Sequence, residues 1–125
     1  IPDGQTAMYG SSRENTLDVH TQGTFAGGLL AALGFKVPQA DGGKDIYDID
    51  LEHVLAMNPD WMFIAHYREE SVVRKWAQQP LWKALTVTKK DQLISVDPEL
   101  WARSRGLTAA ALMVEQVKAA VEKKR

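Results

Sequence analysis

Short apolar segments alternate with amphipathic ones along the chain, and this alternation predicts strands followed by helices. The continuous apolar run at 61–65 has the composition of a strand that is buried on both faces of a sheet, and 92–96 is predicted as another strand. Further strands are predicted at 5–9 and, as a shorter element, at 35–38. Strands that alternate with helices favour a three-layer α/β/α sandwich with a mostly parallel central sheet.

Helical spacing of apolar residues marks four segments between and after these strands. Helices are predicted over 25–33, 51–57 and 71–78, and a last helix begins near residue 107. The last helix carries one apolar stripe, which consists of Leu107, Ala110, Val114, Val117 and Val121. The polar segment at 10–23 is predicted as a loop, because its first residues are types that favour turns.

Length and composition indicate one compact domain that comprises residues 1–125. Of the 125 residues, 45% are hydrophobic and 25% are charged, which argues against disorder. The net charge of −1 argues against a protein that binds nucleic acid by neutralising phosphates. No apolar run reaches the roughly 18 residues of a transmembrane segment, and the lack of cysteine excludes disulfides and thiolate metal sites. Because the chain starts at Ile1 rather than Met, we expect it to be a piece of a larger protein.

Arginines follow three of the predicted strands. Arg13 follows the first strand, Arg68 follows the strand at 61–65, and Arg103 and Arg105 follow the last strand. Because the carboxyl ends of parallel strands meet at one edge of a sheet, we expect these arginines to face one crevice. A guanidinium group presents a planar fork of donors, so such a crevice suits a polycarboxylate or phosphate ligand. Taken singly, each arginine is more often a solvated surface residue.

Motifs of the common enzyme classes do not occur in the sequence. It contains no GxSxG elbow, no GxxxxGK[ST] phosphate loop and no GxGxxG after a strand. His20, His53 and His66 lack the spacing of metal ligands, and no carboxylate pair is placed for acid and base chemistry. We therefore expect no catalysis, no resident cofactor and no protein-bound metal. The competing class is a flavodoxin-like enzyme or response-regulator domain, but a receiver needs acidic strand exits and these exits are basic.

Five segments of the sequence resemble a family of binding proteins. They are GSSRE at 10–14, VHTQ at 19–22, DLEHVLAMNPD at 50–60, AHYREES at 65–71 and WARSRG at 101–106. Together they resemble the carboxy-terminal lobe of the periplasmic iron(III) dicitrate-binding proteins, the substrate-binding proteins of ferric citrate ABC importers. The helix followed by Asn-Pro-Asp is general to siderophore- and cobalamin-binding relatives, whereas HYREES is specific to the ferric citrate branch. The resemblance covers essentially the whole chain.

The resemblance implies a protein of two α/β lobes joined by one long helix, with ferric citrate held between the lobes. This chain would supply one half of the cleft, and an amino-terminal lobe would supply the other. The family is exported to the periplasm, either free or lipid-anchored, and delivers its ligand to the permease subunits of an ABC importer. Glu52 matches the acidic residue through which this lobe docks on the permease. Another anionic siderophore or metal chelate is the alternative ligand.

The resemblance also assigns residues to the ligand site. Arg13, Arg68 and Arg103 are expected to pair with citrate carboxylates. Further contacts are expected from Arg105, Tyr67, Trp101, Ser12, Thr21 and Gln22. Citrate already chelates the iron, so the protein needs cationic donors and no metal ligands of its own. The sequence leaves open which of Arg103 and Arg105 faces the cleft, and Trp101 is equally consistent with a place in the core.

Overall fold

A five-stranded mixed sheet lies at the centre of the computed structural model, which describes residues 4–21, 23–38, 46–67, 70–97, 101 and 107–123. The strands are β1 (Ala7–Ser12), β2 (Leu17–His20), β3 (Ile46–Ile49), β4 (Trp61–His66) and β5 (Leu93–Val96). Their order across the sheet is β3-β2-β1-β4-β5. β1, β4 and β5 are parallel, whereas β2 pairs antiparallel with β1, and β3 pairs antiparallel with β2. The α/β class is therefore confirmed, and two antiparallel strands extend the parallel part of the sheet.

Five α-helices and one 3₁₀ helix cover the sheet within the described ranges. They are α1 (Phe25–Ala32), α2 (Leu51–Met57), α3 (Val72–Trp76), α4 (Thr86–Lys89), α5 (Leu107–Lys123) and the 3₁₀ helix at Pro80–Ala84. Side-chain caps fix two helix starts: Thr24 Oγ1 accepts a hydrogen bond from Gly27 N, and Asp50 Oδ1 accepts one from His53 N, both at 3.0 Å. None of the described helices is long and apolar enough to cross a membrane.

Alternating side chains divide the core between the two faces of the sheet. On one face, α1 and α5 pack over Tyr9, Phe63 and Trp101. On the other face, the helices from α2 to α4 pack over Met8 and Met62. None of these five side chains is more than 1% exposed. The chain is therefore a three-layer sandwich with a separate apolar core on each side of the sheet.

The segment at 10–23, predicted as a loop, contains the end of β1 and all of β2. Residues 10–12 are small and polar and were therefore expected in a turn, but they pair with 17–19 across an antiparallel ladder. A Cβ atom on Gly10 would lie 2.7 Å from Leu17 Cδ1. Small residues here allow close packing of the two strands, and the prediction of a loop is wrong for this part of the chain.

Other elements also differ from the predictions. The strand predicted at 35–38 forms only a single bridge, between Thr6 and Lys36. β3 and α4 were not predicted. β3 is only four residues long and lies at the edge of the sheet, where Ile46 is 48% exposed and no residue of the strand is fully buried.

The buried stripe of α5 contains the predicted Val117 and Val121, but its buried member one turn earlier is Met113 rather than the predicted Val114. Met113, Val117 and Val121 are the buried residues, whereas Val114 and Ala110 are half-buried. The buried set follows strict i, i+4 spacing, which keeps its members on one line along the helix. Met113 reaches the core because it lies on that line.

Candidate functional site

The carboxyl ends of β1 and β4 lie side by side at one edge of the sheet. Ser12 pairs with His66 in the parallel ladder, and the backbone N–H of Tyr67 donates to Ser12 O at 2.9 Å. Arg13 and Tyr67 therefore leave the sheet together, and Tyr67 packs on the core beneath α1 and α5. Two of the predicted site residues are thus brought into contact.

Four contacts hold Arg13 at this edge. Its backbone N–H donates to Thr16 O at 2.9 Å, and its carbonyl accepts a hydrogen bond from Val72 N at 2.7 Å. Its Nε donates to Asp18 Oδ2 at 3.1 Å. Its guanidinium carbon lies 4.8 Å from the centre of the Tyr67 ring. Because the face of an aromatic ring attracts a cation, Tyr67 supports the guanidinium group.

The side chain of Arg13 remains accessible despite these contacts. It is 55% exposed, and its two terminal amino groups make no hydrogen bond to the described part of the chain. These amino groups form the edge of the guanidinium that pairs with two oxygens of one carboxylate. The carboxyl edge of the sheet therefore presents the two terminal amino groups of Arg13 as a positively charged pair of hydrogen-bond donors.

Asp18, the ion-pair partner of Arg13, is a site residue that the sequence analysis missed. Its side chain is 26% exposed and lies on β2. In the antiparallel ladder Asp18 pairs with Ser11, which points to the same side of β1 as Arg13. The alternation of two buried apolar residues around Asp18 is the signal that could have identified it, once β2 was recognised as a strand.

Ser12 is enclosed at the end of β1 and does not face the accessible edge. Its side chain is fully buried, and its Oγ accepts a hydrogen bond from Val73 N at 3.1 Å. The amide groups at the start of a helix lack acceptors within the helix, and the hydroxyl of Ser12 is the acceptor for one of these amide groups. The Ser12 hydroxyl therefore joins β1 to α3, and the expected ligand contact of Ser12 stays a prediction.

His66 ends β4 on the opposite face of the sheet from Tyr67. Its Nδ1 lies 2.5 Å from the Oγ of Ser71, the residue immediately before α3. Burial lowers the pKa of His66 below its ordinary value, and the positive charge of Arg74 lowers it further. The imidazole is therefore neutral at neutral pH and adds no positive charge to the Arg13 edge.

Trp101 lies in the core rather than at the accessible edge. Its side chain is 1% exposed, and its ring stacks on Tyr9 and Phe63 with centroids 5.2 and 5.6 Å away. Its Nε1 donates to Gln116 Oε1 at 2.6 Å, which ties it to α5. Of the two positions that the sequence left open for Trp101, the core position is the observed one.

Thr21 lies away from Arg13 along the sheet. Tyr9 pairs with His20, so the antiparallel course of β2 carries Thr21 toward the amino-terminal half of β1. The four residue steps from Tyr9 to Arg13 alone amount to roughly 13 Å. Thr21 is 3% exposed, and its carbonyl accepts a hydrogen bond from Thr24 Oγ1 at 2.9 Å. The expected grouping of Thr21 with Arg13 is therefore not observed.

Four predicted site residues, Arg68, Arg103, Arg105 and Gln22, lie outside the described residues. The predicted arginine crevice is therefore defined here by Arg13 and its neighbours. Across the ranges that the structure describes, no three His, Asp or Glu side chains form a group that could hold a metal ion. The chemistry of the described site is that of a cationic hydrogen-bond donor.

Glu52 is exposed in the first turn of α2, at the same edge of the sheet as Arg13. The last residue of β3, Ile49, pairs with Leu17, and Leu17 pairs with Ser12. β3 therefore ends level with β1. Because α2 begins only two residues after β3, Glu52 stays at this edge, where a partner can reach it.

The chain is similar to proteins whose names state that they bind iron chelates. A family model for periplasmic binding proteins matches residues 2–100. The sequence is 49% identical over 110 residues to the Fe(3+) dicitrate-binding periplasmic protein FecB of Escherichia coli K12, a match that covers 88% of this chain and 37% of FecB. It is 27% identical over 116 residues to the Fe(3+)-citrate-binding protein YfmC of Bacillus subtilis 168, covering 92% of this chain and 36% of YfmC.

The fold is also similar to that of a protein of known structure. Staphylococcus aureus SirA complexed with staphyloferrin B matches with a TM-score of 0.77 and 22% identity, covering 97% of this chain and 47% of SirA. At this identity the similarity concerns the fold. The chain spans little more than a third of the length of the curated relatives it matches and about half of SirA.

Proposed function

Because this chain belongs to the periplasmic binding protein family, we propose that it is one lobe of a protein that binds iron(III) dicitrate. The 49% identity to FecB, whose name states Fe(3+) dicitrate binding, supports this ligand. The HYREES segment at 66–71 supports it as well, because that segment resembles the ferric citrate branch. Since the match spans 37% of FecB, we assign this chain, residues 1–125, one half of a ligand cleft.

The observation that carries the proposal is the guanidinium of Arg13, held over Tyr67 at the carboxyl edge of the sheet. Ferric citrate is an anion that displays carboxylates around an iron already chelated by citrate. A protein therefore recognises it through cationic donors, and an arginine fork matches a carboxylate in geometry as well as charge. Iron is cargo in this account and needs no ligand from the chain.

We assign the ligand contacts to residues that remain available at this edge. Arg13, Arg68 and Arg103 pair with carboxylates, Tyr67 forms a wall of the site, and Arg105 and Gln22 are further contacts. Ser12, Thr21 and Trp101 are left out of the set because their side chains are buried among other parts of the chain.

The same relationship supports a role in import. We assign the protein to the periplasm, where it delivers ferric citrate to the permease subunits of an ABC importer without catalysing a reaction. An amino-terminal lobe supplies the other half of the cleft. Glu52 is the docking residue on this lobe, and its exposure in the first turn of α2 is what such a role requires.

Calorimetric titration of the natural protein that carries this chain tests the ligand assignment. Ferric citrate is expected to bind more tightly than iron-free citrate, because the chelate presents several carboxylates in a fixed array. Haem and a nucleotide serve as comparison ligands, and tighter binding of either would overturn the assignment. A different carboxylate siderophore that binds more tightly than ferric citrate would replace the ligand within the same chemistry. The chain alone is expected to bind more weakly, since half a cleft leaves much of the ligand in water.

A further inference from the structure

We propose that Asp18 is a positioning residue that determines which edge of the Arg13 guanidinium faces the ligand. This inference rests on the proposed function, in which Arg13 pairs with a citrate carboxylate. A guanidinium has one N–H at Nε and two terminal amino groups. Asp18 Oδ2 accepts the Nε–H bond at 3.1 Å, so the terminal amino groups are left for the ligand.

The remaining contacts of Arg13 complete this arrangement. Thr16 and Val72 fix both polar groups of its backbone, and the Tyr67 ring lies against its guanidinium. A long side chain that is free in solution loses conformational entropy when a ligand fixes it, and this loss opposes binding. Asp18 joins the side chain to β2, so Arg13 is ordered before the ligand arrives.

The negative charge of Asp18 makes it possible to test this role by the direction in which ligand affinity changes when Asp18 is removed. Asp18 is a negative charge beside the site of an anionic ligand, and Coulomb repulsion alone predicts that its removal strengthens binding. Positioning predicts the opposite, because removal of Asp18 frees the Arg13 side chain. The direction of the change in affinity therefore distinguishes the two effects.

Ferric citrate titration of variants of the natural protein that carries this chain tests the proposal. Asp18→Ala is expected to weaken binding about three- to tenfold, the range for immobilising one flexible side chain. Asp18→Asn is expected to restore most of that loss, because its amide oxygen can still accept the Nε–H bond. Recovery by an uncharged residue is a result that a charge effect does not produce.

Asp48 offers a matched control. It lies directly opposite Asp18 in the β2–β3 ladder and is exposed, and it has no bond to Arg13. Asp48→Asn removes an equal charge from the neighbouring strand, so it measures the electrostatic contribution separately. We expect it to change the affinity by less than about twofold, in the direction of tighter binding.

The outcomes separate this inference from the proposed function. If Arg13→Ala weakens binding while Asp18→Ala binds equally well or more tightly, the positioning role is overturned and the ligand assignment stands. If Arg13→Ala leaves the affinity unchanged, Arg13 does not pair with a citrate carboxylate, and the positioning role of Asp18 fails with that assignment. In the Arg13→Ala background, Asp18→Ala is expected to cause no further loss. Circular dichroism checks the fold of each variant, and Asp18→Ser replaces Asp18→Ala if the alanine variant does not fold.

Discussion

Replacement of Trp101 by alanine tests whether this residue belongs to the core or to the ligand site. The indole ring is 1% exposed and stacks on both Tyr9 and Phe63, and its Nε1 donates a hydrogen bond to Gln116 on α5. Its truncation opens a cavity between the sheet and α5. A residue in this position is expected to affect stability strongly and ligand affinity little.

The size of the effect follows from the buried surface. An aromatic side chain of this size buries about 200 Å². At about 25 cal/mol per Å², that area corresponds to about 5 kcal/mol, an upper value because the unfolded chain already covers part of it. Truncations of buried Trp or Phe to Ala cost about 3–5 kcal/mol, which agrees with this figure. We therefore expect Trp101→Ala to lower the free energy of unfolding by about 3–5 kcal/mol.

Urea denaturation monitored by far-ultraviolet circular dichroism measures this loss. Trp101→Phe is the matched control, because it keeps an aromatic ring over Tyr9 and Phe63 and loses mainly the hydrogen bond to Gln116. It is expected to cost about 1–2 kcal/mol and to leave ferric citrate affinity within twofold of the parent. A loss below about 1 kcal/mol for the alanine variant, together with a clear loss of affinity for the phenylalanine variant, would refute the core assignment.

Two further changes test neighbouring contacts. Ser12→Ala is expected to lower the free energy of unfolding by about 1–3 kcal/mol, because the Val73 N–H loses its acceptor. If the variant instead loses affinity for ferric citrate while its free energy of unfolding is unchanged, Ser12 belongs to the ligand contacts. Burial and the charge of Arg74 lower the pKa of His66 in the folded chain, so the unfolded chain takes up a proton at a higher pH than the folded chain does. The free energy of unfolding is therefore expected to fall as the pH drops from the ordinary histidine pKa of 6.5 toward the lower folded-state pKa. His66→Gln is expected to remove that part of the decline in denaturation measured across this pH range, and an unchanged decline would contradict the assignment to His66.

Elements with strong local signals could be predicted from the sequence. The apolar run predicted at 61–65 is β4, and the cap residues Thr24 and Asp50 stand where α1 and α2 begin. β2 could not be predicted with the same rules, because the small residues that precede it favour turns locally, whereas in the structure Gly10 packs closely against Leu17. Where the local preference of the residues for a turn conflicts with their position in the sheet, tertiary packing therefore determines the secondary structure.

The candidate site likewise contains residues whose positions follow from sequence rules and residues whose positions depend on tertiary packing. The meeting of Arg13 and Tyr67 follows from a general rule, since both residues leave the carboxyl ends of parallel strands. The contribution of Asp18 and the displacement of Thr21 both depend on the antiparallel course of β2, which a predicted loop does not contain. The place of Trp101 depends on contacts with Tyr9 and α5 that have no counterpart in local sequence spacing.

The most direct test of the account compares ferric citrate titrations of Arg13→Ala and Lys89→Ala in the natural protein that carries this chain. Lys89 is an exposed cation at the end of α4, before β5 begins, and so lies at the opposite edge of the sheet from Arg13. We expect the loss of the Arg13 guanidinium to weaken binding by about ten- to a hundredfold, and the loss of Lys89 to leave the affinity within twofold. Equal affinities for Arg13→Ala and the parent protein would contradict the account.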